Sequence, residues 1–176
     1  MQIREGTSVD LEAIARIHAD SWRDSYRGIM EDAFLDWQVL EDRMDAWAGR
    51  FRAPPPDFQV LVAERDATVI GFICVFADEK PGWLLLDNLH VSEAARRRGA
   101  GQKLMRAMSK RLAEKGRQKV RLLVLEGNEG ACRFYERLGS TKRPIEHKGF
   151  RGLGPFASIP YEWEAFGELG QATSAA

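Results

Sequence analysis

The spacing of apolar positions along the chain changes between helical and strand-like periods and predicts the order of the elements. A short strand is predicted at 2–5, and Thr7 and Asp10 have the spacing of a capping box that opens a first helix. Gly28 is expected to follow the C-terminus of that helix. A second helical region covers 31–51 and ends at three consecutive prolines. Its apolar positions are Phe34, Leu35, Trp37, Leu40, Met44 and Trp47.

The middle and C-terminal parts of the chain alternate strands with two further helices. One amphipathic helix is predicted at 101–115 and another from Asn128 to Gly139. This order predicts the α+β class, with a mixed, mostly antiparallel sheet of about seven strands flanked by about four helices. We expect a single domain over 1–166 and a flexible tail at 167–176. The remaining strands are predicted at 58–64, 68–76, 83–91 and 120–125, with two more around 149–155.

Charge changes the picture only when it is counted by segment. The 176 residues include 26 basic and 26 acidic side chains, and a net charge of zero argues against a nucleic-acid binder. Residues 96–121, however, carry 11 basic and one acidic side chain, while residues 1–46 carry 5 and 11. We therefore expect a ligand with several negative charges at the basic segment and a cationic one near the acidic half.

The number and spacing of the cysteines and histidines indicate which cellular compartment and which type of cofactor to expect. The two cysteines and three histidines have no metal-ligand spacing, so no metal site is expected. Two isolated cysteines suit a reducing compartment. The N-terminus lacks an apolar signal segment, and no apolar stretch is long enough for a bilayer. We expect a cytoplasmic protein without a membrane partner.

Candidate chemistry begins at 89–104, where a strand leads through a basic, glycine-containing loop into a helix. Glycines let main-chain N–H groups point inward, and a helix start adds unpaired N–H groups and partial positive charge. Such a loop suits a phosphate or pyrophosphate. The Walker and dinucleotide patterns both fail, because Gln102, Lys103 and Leu104 stand where those patterns require other residues.

Two motifs carry a family resemblance. Arg96-x-x-Gly99-x-Gly101 resembles the coenzyme A signature of the GNAT superfamily of N-acetyltransferases. The segment from Asn128 to Gly139 is similar to that family's N-x-x-A-x-x-F-Y-x-x-x-G pattern. The resemblance covers residues 1 to about 166 and implies acetyl-CoA as the cofactor.

The resemblance also implies where the cofactor lies. Main-chain N–H groups from Arg97 to Gln102 would hold the pyrophosphate, with the Arg96 side chain near it. Main-chain groups of Leu89 and Val91 would hold the pantetheine and thioester, and the Val91 N–H would polarise the acetyl carbonyl. The expected cofactor-binding residues are Leu89, His90, Val91, Arg96, Arg97, Arg98, Gly99, Ala100, Gly101, Gln102, Asn128 and Tyr135.

Two residues are the expected catalytic groups. Tyr135 matches the family tyrosine that protonates the departing thiolate, and a phenol of pKa ~10 suits that step; core packing is the alternative. Asp87 matches the family's acidic base on the fourth strand. His90 is a further candidate base, although strand alternation puts it on the opposite face from Asp87 unless a bulge intervenes. The expected acceptor-site residues are Trp22, Tyr26, Asn88 and His147. Core or rim packing is the alternative for Trp22, Tyr26 and His147, and a polar patch on the strand is the alternative for Asn88.

The sequence therefore predicts transfer of an acetyl group from acetyl-CoA to a primary amine of a small molecule or peptide. The resemblance implies direct attack in a ternary complex, and family habit suggests a homodimer. A non-catalytic acyl-CoA binding or sensor module is the alternative. A nucleic-acid binder is a third interpretation, disfavoured because the basic helix has no interleaved aromatic side chains.

Overall fold

The computed structural model describes residues 1–150 and 153–169, which form eight strands and four α-helices. The strands are β1 (Gln2–Glu5), β2 (Gln59–Arg65), β3 (Thr68–Ala77), β4 (Leu84–Val91), β5 (Val120–Leu125), β6 (Thr141–Lys142), β7 (Glu146–Phe150) and β8 (Leu153–Trp163). The helices are α1 (Leu11–Ser25), α2 (Val39–Arg52), α3 (Ala100–Glu114) and α4 (Glu129–Arg137). Short 3-10 turns lie at Ser8–Asp10, Glu93–Ala95 and Phe166–Glu168, and a π turn lies at Phe34–Gln38.

The eight strands have the hydrogen-bonded order β1-β2-β3-β4-β5-β8-β6, and β7 pairs with β8. β4 and β5 run parallel, with Leu84 opposite Val120. The β1–β2, β2–β3, β5–β8, β6–β8 and β7–β8 pairs are antiparallel. This mixed sheet with four α-helices confirms the predicted α+β class. The two-residue strand β6 is absent from the sequence prediction, because so short a segment shows no alternation.

The described chain divides into two compact units, of which the first comprises Met1–Phe76 and Asn88–Met108. α1 packs against α2 in this unit. Trp22 on α1 is buried, as the helical spacing predicts. The central cluster of buried side chains is Ile14, Ala15, Ile17, Trp47, Val60, Val62, Phe72 and Cys74.

The start of α1 forms as the spacing of Thr7 and Asp10 predicts. The main-chain N–H of Thr7 donates to Asp10 Oδ2 at 2.9 Å. The Arg4 guanidinium also donates to both oxygens of this carboxylate, at 2.8 and 2.9 Å. Its hydrogen bonds hold the pKa of Asp10 below the ordinary aspartate value. A strand residue, a cap and a helix are thereby joined by one buried carboxylate.

The second helical region begins with a widened turn. The Val39 N–H donates to the Phe34 carbonyl, an i→i+5 bond that defines the π turn. Leu35 is fully buried, whereas Trp37 is 83% exposed. The prediction that Trp37 is an apolar packing position is therefore wrong, because the helical period used for it assumes 3.6 residues per turn. Trp47 lies on α2, which follows the π turn, and is fully buried as predicted.

The second unit comprises Ala77–Asp87 and the described residues from Ser109 onward. β5 and β8 pair from Val120 opposite Trp163 to Leu125 opposite Ser158. The nearly buried Glu162 carboxylate accepts from Lys80 and Arg143, each at 2.8 Å. These two ion pairs compensate a carboxylate that would otherwise be costly to bury.

The C-terminal part of this unit is described as far as Leu169. The Gly167 N–H donates to Gln118 Oε1 at 3.1 Å, beside the buried ring of Phe166. Residues 170–176 of the predicted tail lie outside the described residues. The chain divides into two compact units, and the proposal that residues 1–166 form a single domain stays a prediction. Across the described part of the chain, no helix has the length and apolar character needed to cross a bilayer.

Candidate active site

The loop between β4 and α3 has the geometry of an anion site. Arg97 and Gly99 have φ of +59° and +80°, in the left-handed region, and the Lys103 N–H donates to the Gly99 carbonyl as α3 begins. The first-turn N–H groups of α3, including those of Gly101 and Gln102, have no acceptor within the helix. This backbone fits a phosphate group, because left-handed residues before a helix N-terminus direct several N–H groups to one point.

The arginines of this loop differ in what they contact. Arg97 and Arg98 are exposed, and their side chains have no ion pair within the described part of the chain. Arg96 instead turns toward α1, where its guanidinium lies 2.8 Å from Asp24 Oδ2. Its Nε also donates to the Val91 carbonyl at 3.2 Å. Arg96 therefore joins the loop, the end of β4 and the last turns of α1.

The end of β4 lies very close to β3. A Cβ atom at Gly71 would be 2.9 Å from the His90 carbonyl oxygen and 3.2 Å from Val91 Cγ2. The Ser92 N–H donates to the Ile70 carbonyl at 2.9 Å, so β3 continues to hold the chain after β4. Glycine at position 71 is what allows this approach. The main chain at His90 and Val91 is consequently fixed from the β3 side.

The imidazole of His90 lies in a stack of rings beneath α1. Its ring centroid is 4.5 Å from that of His18, with 27° between the planes, and 5.4 Å from that of Phe72. The indole N–H of Trp47 donates to His18 Nδ1 at 3.1 Å and so fixes the His18 ring. Burial, with the positive charges of Arg43 and Arg96, lowers the pKa of His90 to about 3. His90 is therefore neutral at physiological pH and poorly suited to act as a base.

Trp22 and Tyr26 extend the same stack along α1. Trp22 is 6% exposed, with its ring 5.2 Å from His18 and 5.3 Å from Tyr26. The Arg43 guanidinium, itself buried, lies 4.2 Å above the Trp22 ring. Tyr26 is half-buried and caps α1. Of the two, only Tyr26 presents a substantial surface to a ligand.

The second unit holds the two expected catalytic groups and Asn128. Asp87 is half-buried on β4, and Tyr135 on α4 is 8% exposed. The Tyr135 ring packs edge-on against Trp163 at 6.0 Å. The Asn128 side chain accepts from the Ala131 N–H at 3.1 Å, which confirms its role as the N-cap of α4.

A second phenol lies beside Tyr135. The Tyr161 hydroxyl donates to Glu136 Oε1 at 2.9 Å. Burial, followed by hydrogen bonds with Cys132 and Glu136, raises the pKa of Tyr161 above the ordinary tyrosine value. Tyr161 is thus a structural phenol with a fixed partner, which makes it a useful comparison for Tyr135.

The remaining two expected acceptor residues belong to different units. Asn88 is 3% exposed in the first unit, and His147 is exposed on β7 in the second. The first unit brings together Leu89, His90 and Val91 of β4 with the loop 96–102 and with Trp22 of α1. No group of three or more histidine, cysteine or acidic side chains suited to a metal ion is found in residues 1–150 and 153–169.

Sequence reasoning missed the polar side chains of α1 that contact or border the loop. Asp20, Ser21 and Asp24 all line a pocket with Arg96. Their signal is the i, i+4 spacing of Asp20 and Asp24, which places both on one helix face. That spacing alone does not show what the face meets.

Comparisons with known proteins support the family that the β4–α3 loop (the anion loop, residues 96–102) and the order of the elements indicate. The family model described as the acetyltransferase (GNAT) family matches residues 11–140. The uncharacterised N-acetyltransferase YuaI of Bacillus subtilis (strain 168) is 28% identical over 138 residues, which cover 76% of each chain.

Two solved structures show the same fold. PaiA N-acetyltransferase of Thermoplasma acidophilum, in complex with coenzyme A, has a TM-score of 0.70 at 22% identity, over 90% of this chain and 96% of that one. YncA of Salmonella typhimurium, with its cofactor acetyl-CoA, has a TM-score of 0.66 at 18% identity, over 94% of each chain. With most of its length matched by the family model, this chain belongs to the acetyltransferase (GNAT) family.

Proposed function

We propose that the protein transfers an acetyl group from acetyl-CoA to a primary amine of a small molecule or peptide. The observation that carries this proposal is the left-handed loop of Arg97 and Gly99 at the start of α3, in a chain of the GNAT family. Arg97 and Arg98, whose side chains have no ion pair with a described residue, add charge complementarity to a pyrophosphate. Coenzyme A and acetyl-CoA are bound by the similar structures named above.

Different residues of the chain bind the cofactor, take up the proton of the amine and protonate the leaving thiolate. N–H groups of residues 97–102 bind the pyrophosphate, and main-chain groups of Leu89 and Val91 orient the thioester. Asp87 takes the proton from the amine, which arrives mostly as an ammonium ion of pKa near 10. Asp87 is proposed for this step because it matches the family's acidic position on the fourth strand and is half-buried on β4. The amine nitrogen attacks the thioester carbonyl directly, the carbon–sulfur bond breaks, and Tyr135 gives its phenolic proton to the leaving thiolate.

The test is thiol release from acetyl-CoA over a panel of primary amines, with Tyr135→Phe compared with Tyr161→Phe. We expect Tyr135→Phe to lower kcat by roughly a hundredfold, the usual range for loss of a general acid. Tyr161→Phe, which removes a phenol bonded to Glu136, should lower kcat by severalfold at most. Coenzyme A affinity, measured by calorimetry, should change little in Tyr161→Phe, while any loss of affinity in Tyr135→Phe measures the share of Tyr135 in cofactor binding.

The alternative is a non-catalytic acyl-CoA binding or sensor module. It would use the same loop but has no need of Tyr135 or Asp87. Tight coenzyme A binding with no turnover on any amine would favour this alternative. Equal activity of Tyr135→Phe and the unmodified protein would remove Tyr135 from the mechanism.

Compartment and assembly belong to the same proposal. Within the described residues neither Cys74 nor Cys132 forms a disulfide, which supports a reducing compartment such as the cytoplasm. We also propose a homodimer, which size-exclusion chromatography with light scattering would test directly.

A further inference from the structure

A pocket of about 260 Å³ lies within the first unit, between α1 and the end of β4. Its α1 side includes Asp20, Ser21 and Asp24, and its opposite side includes Glu93 and Arg96. The wall also includes Val91, whose main chain we propose to face the acetyl thioester. The pocket therefore begins at the strand where the reaction is proposed to occur.

The charged side chains of the pocket leave one carboxylate uncompensated. Arg23 donates to Asp20 at 2.8 Å and to the Leu35 carbonyl at 3.0 Å. Arg96 is paired with Asp24. The exposed side chain of Glu93 has neither an ion pair nor a hydrogen bond with any described residue, while its main-chain carbonyl accepts from the Arg96 N–H at 3.1 Å. Both cations of the pocket are thus engaged, and its surplus charge is negative.

Ser21 gives an independent indication of a polar ligand. It is 6% exposed and lines the pocket, yet its hydroxyl makes no hydrogen bond within the described residues. A buried serine in a helix ordinarily bonds a main-chain carbonyl one turn earlier. The Ser21 oxygen is not among the enclosed side-chain atoms that lack a partner, so it is accessible from the pocket to water or to a ligand. A carboxylate without an ion pair and an unbonded hydroxyl in the lining of one pocket suit an ammonium group, which has several N–H donors and a positive charge.

We propose that this pocket binds a second cationic group of the acceptor, so that the substrates are diamines and longer polyamines. The inference rests on the proposed function, because it assigns one amine to the thioester and another to the pocket. Glu93 supplies the charge, and the Ser21 hydroxyl accepts an N–H. A monoamine of equal length could not make either contact.

Arg96 connects this pocket with the anion loop. Its guanidinium has two alternative partners, the Asp24 carboxylate and the pyrophosphate of bound coenzyme A. When Arg96 turns to the pyrophosphate, Asp24 loses its cation and becomes a second free carboxylate in the pocket. Coenzyme A should therefore strengthen diamine binding, and by linkage the diamine should strengthen coenzyme A binding to the same degree.

The first experiment compares kcat/KM for 1,4-diaminobutane and 1-aminobutane by thiol release. We expect at least a tenfold preference for the diamine, reduced severalfold in both Glu93→Gln and Ser21→Ala. Asp66→Asn makes the same charge change as Glu93→Gln on the exposed β2–β3 turn of the same unit and should keep the preference. Equal kcat/KM for the two amines, or a preference that survives both pocket variants, would overturn the proposal.

The second experiment measures binding of 1,4-diaminobutane by calorimetry, without and with saturating coenzyme A. We expect Kd to fall severalfold when coenzyme A is present, and this difference to disappear in Asp24→Asn. This readout needs no turnover, so it separates the two ideas. Diamine binding without acetylation supports the pocket and contradicts the proposed function, whereas acetylation of monoamines and diamines alike does the reverse. A Kd that coenzyme A leaves unchanged contradicts the Arg96 exchange.

Discussion

His90 occupies a position on β4 where its charge state affects folding. It faces the His18 ring from α1 and feels the positive charges of Arg43 and Arg96. Burial is the largest cause of its lowered pKa, because the protonated ring would lose its hydration. The folded-state pKa of about 3 lies well below the unfolded value of about 6.5. The unfolded chain therefore takes up the proton more readily.

Acid should accordingly destabilise the protein through His90. The contribution is fully present above pH 6.5 and is lost as pH falls from 6.5 toward 3, by up to about 2 kcal/mol between pH 7 and pH 5. Urea unfolding at the two pH values measures it, and His90→Gln should remove most of the difference. His147→Gln, at an exposed histidine, should leave the difference intact. If the free energy of unfolding fell equally between pH 7 and pH 5 in His90→Gln and in the unmodified protein, His90 would not be the cause.

Individual site residues were predictable only where a motif fixes the main chain. The loop conformation at Arg97 and Gly99 could be predicted from the Arg96-x-x-Gly99-x-Gly101 pattern. Main-chain N–H groups are expected to bind the pyrophosphate, and the pattern places glycines where that main-chain conformation needs them. The contact of the Arg96 side chain with Asp24 does not follow. It depends on how α1 meets the end of β4, which lies some 70 residues away in the chain, and local spacing does not encode it.

At the scale of elements, the approach of β3 to β4 depends on Gly71. A methyl group there would meet the His90 carbonyl at 2.9 Å, and main-chain atoms cannot move away as a flexible side chain can. We expect Gly71→Ala to lower the free energy of unfolding by about 1–3 kcal/mol. Coenzyme A affinity should fall with it, because the main chain at Val91 shifts.

Gly49 provides the matched control for this substitution. It lies on an exposed face of α2, where an added Cβ meets nothing within 4 Å. Gly49→Ala should raise the free energy of unfolding by roughly 0.5–1 kcal/mol, since alanine restricts the unfolded chain. Denaturant unfolding of both variants decides the matter. A Gly71→Ala protein as stable as Gly49→Ala would show that the strands separate at no cost.

Elements with strong periodic signals were predicted well. The strand β5 has the bounds 120–125 that the sequence indicates, and α3 and α4 begin within one residue of their predicted starts. The failures are β6 and the π turn. A two-residue strand has no period, and a widened turn breaks the period on which helix prediction rests.

At the scale of the whole molecule, the basic and acidic segments behave differently. Most acidic side chains of the N-terminal segment are paired with arginine. Arg106 and Lys110 are exposed on α3 and have no ion pair within the described residues. The positive field of these α3 residues is therefore retained, whereas within residues 1–46 the attraction for a cationic ligand is reduced to the few carboxylates that have no ion pair with a described residue.

Coenzyme A binding should consequently depend on salt. We expect Kd to rise roughly three- to tenfold between 50 and 500 mM NaCl, because ions screen the field of exposed charges. Calorimetric titrations of the double variant Arg106→Gln, Lys110→Gln should show a smaller rise. Lys142→Gln, exposed on β6, serves as the charge control. A Kd independent of salt would mean that the loop's own contacts, and not the field of α3, govern affinity.

The π turn before α2 affects how this chain is compared with its relatives. A π turn accommodates one additional residue without ending the helix. A relative with one residue fewer between Ala33 and Val39 could therefore close an ordinary α turn and still bury its equivalent of Trp47. In an alignment of the two sequences, a one-residue gap at this point would mean that one chain has a π turn where the other has an α turn, with the fold otherwise the same. An outward aromatic such as Trp37 would be gained or lost together with the inserted residue.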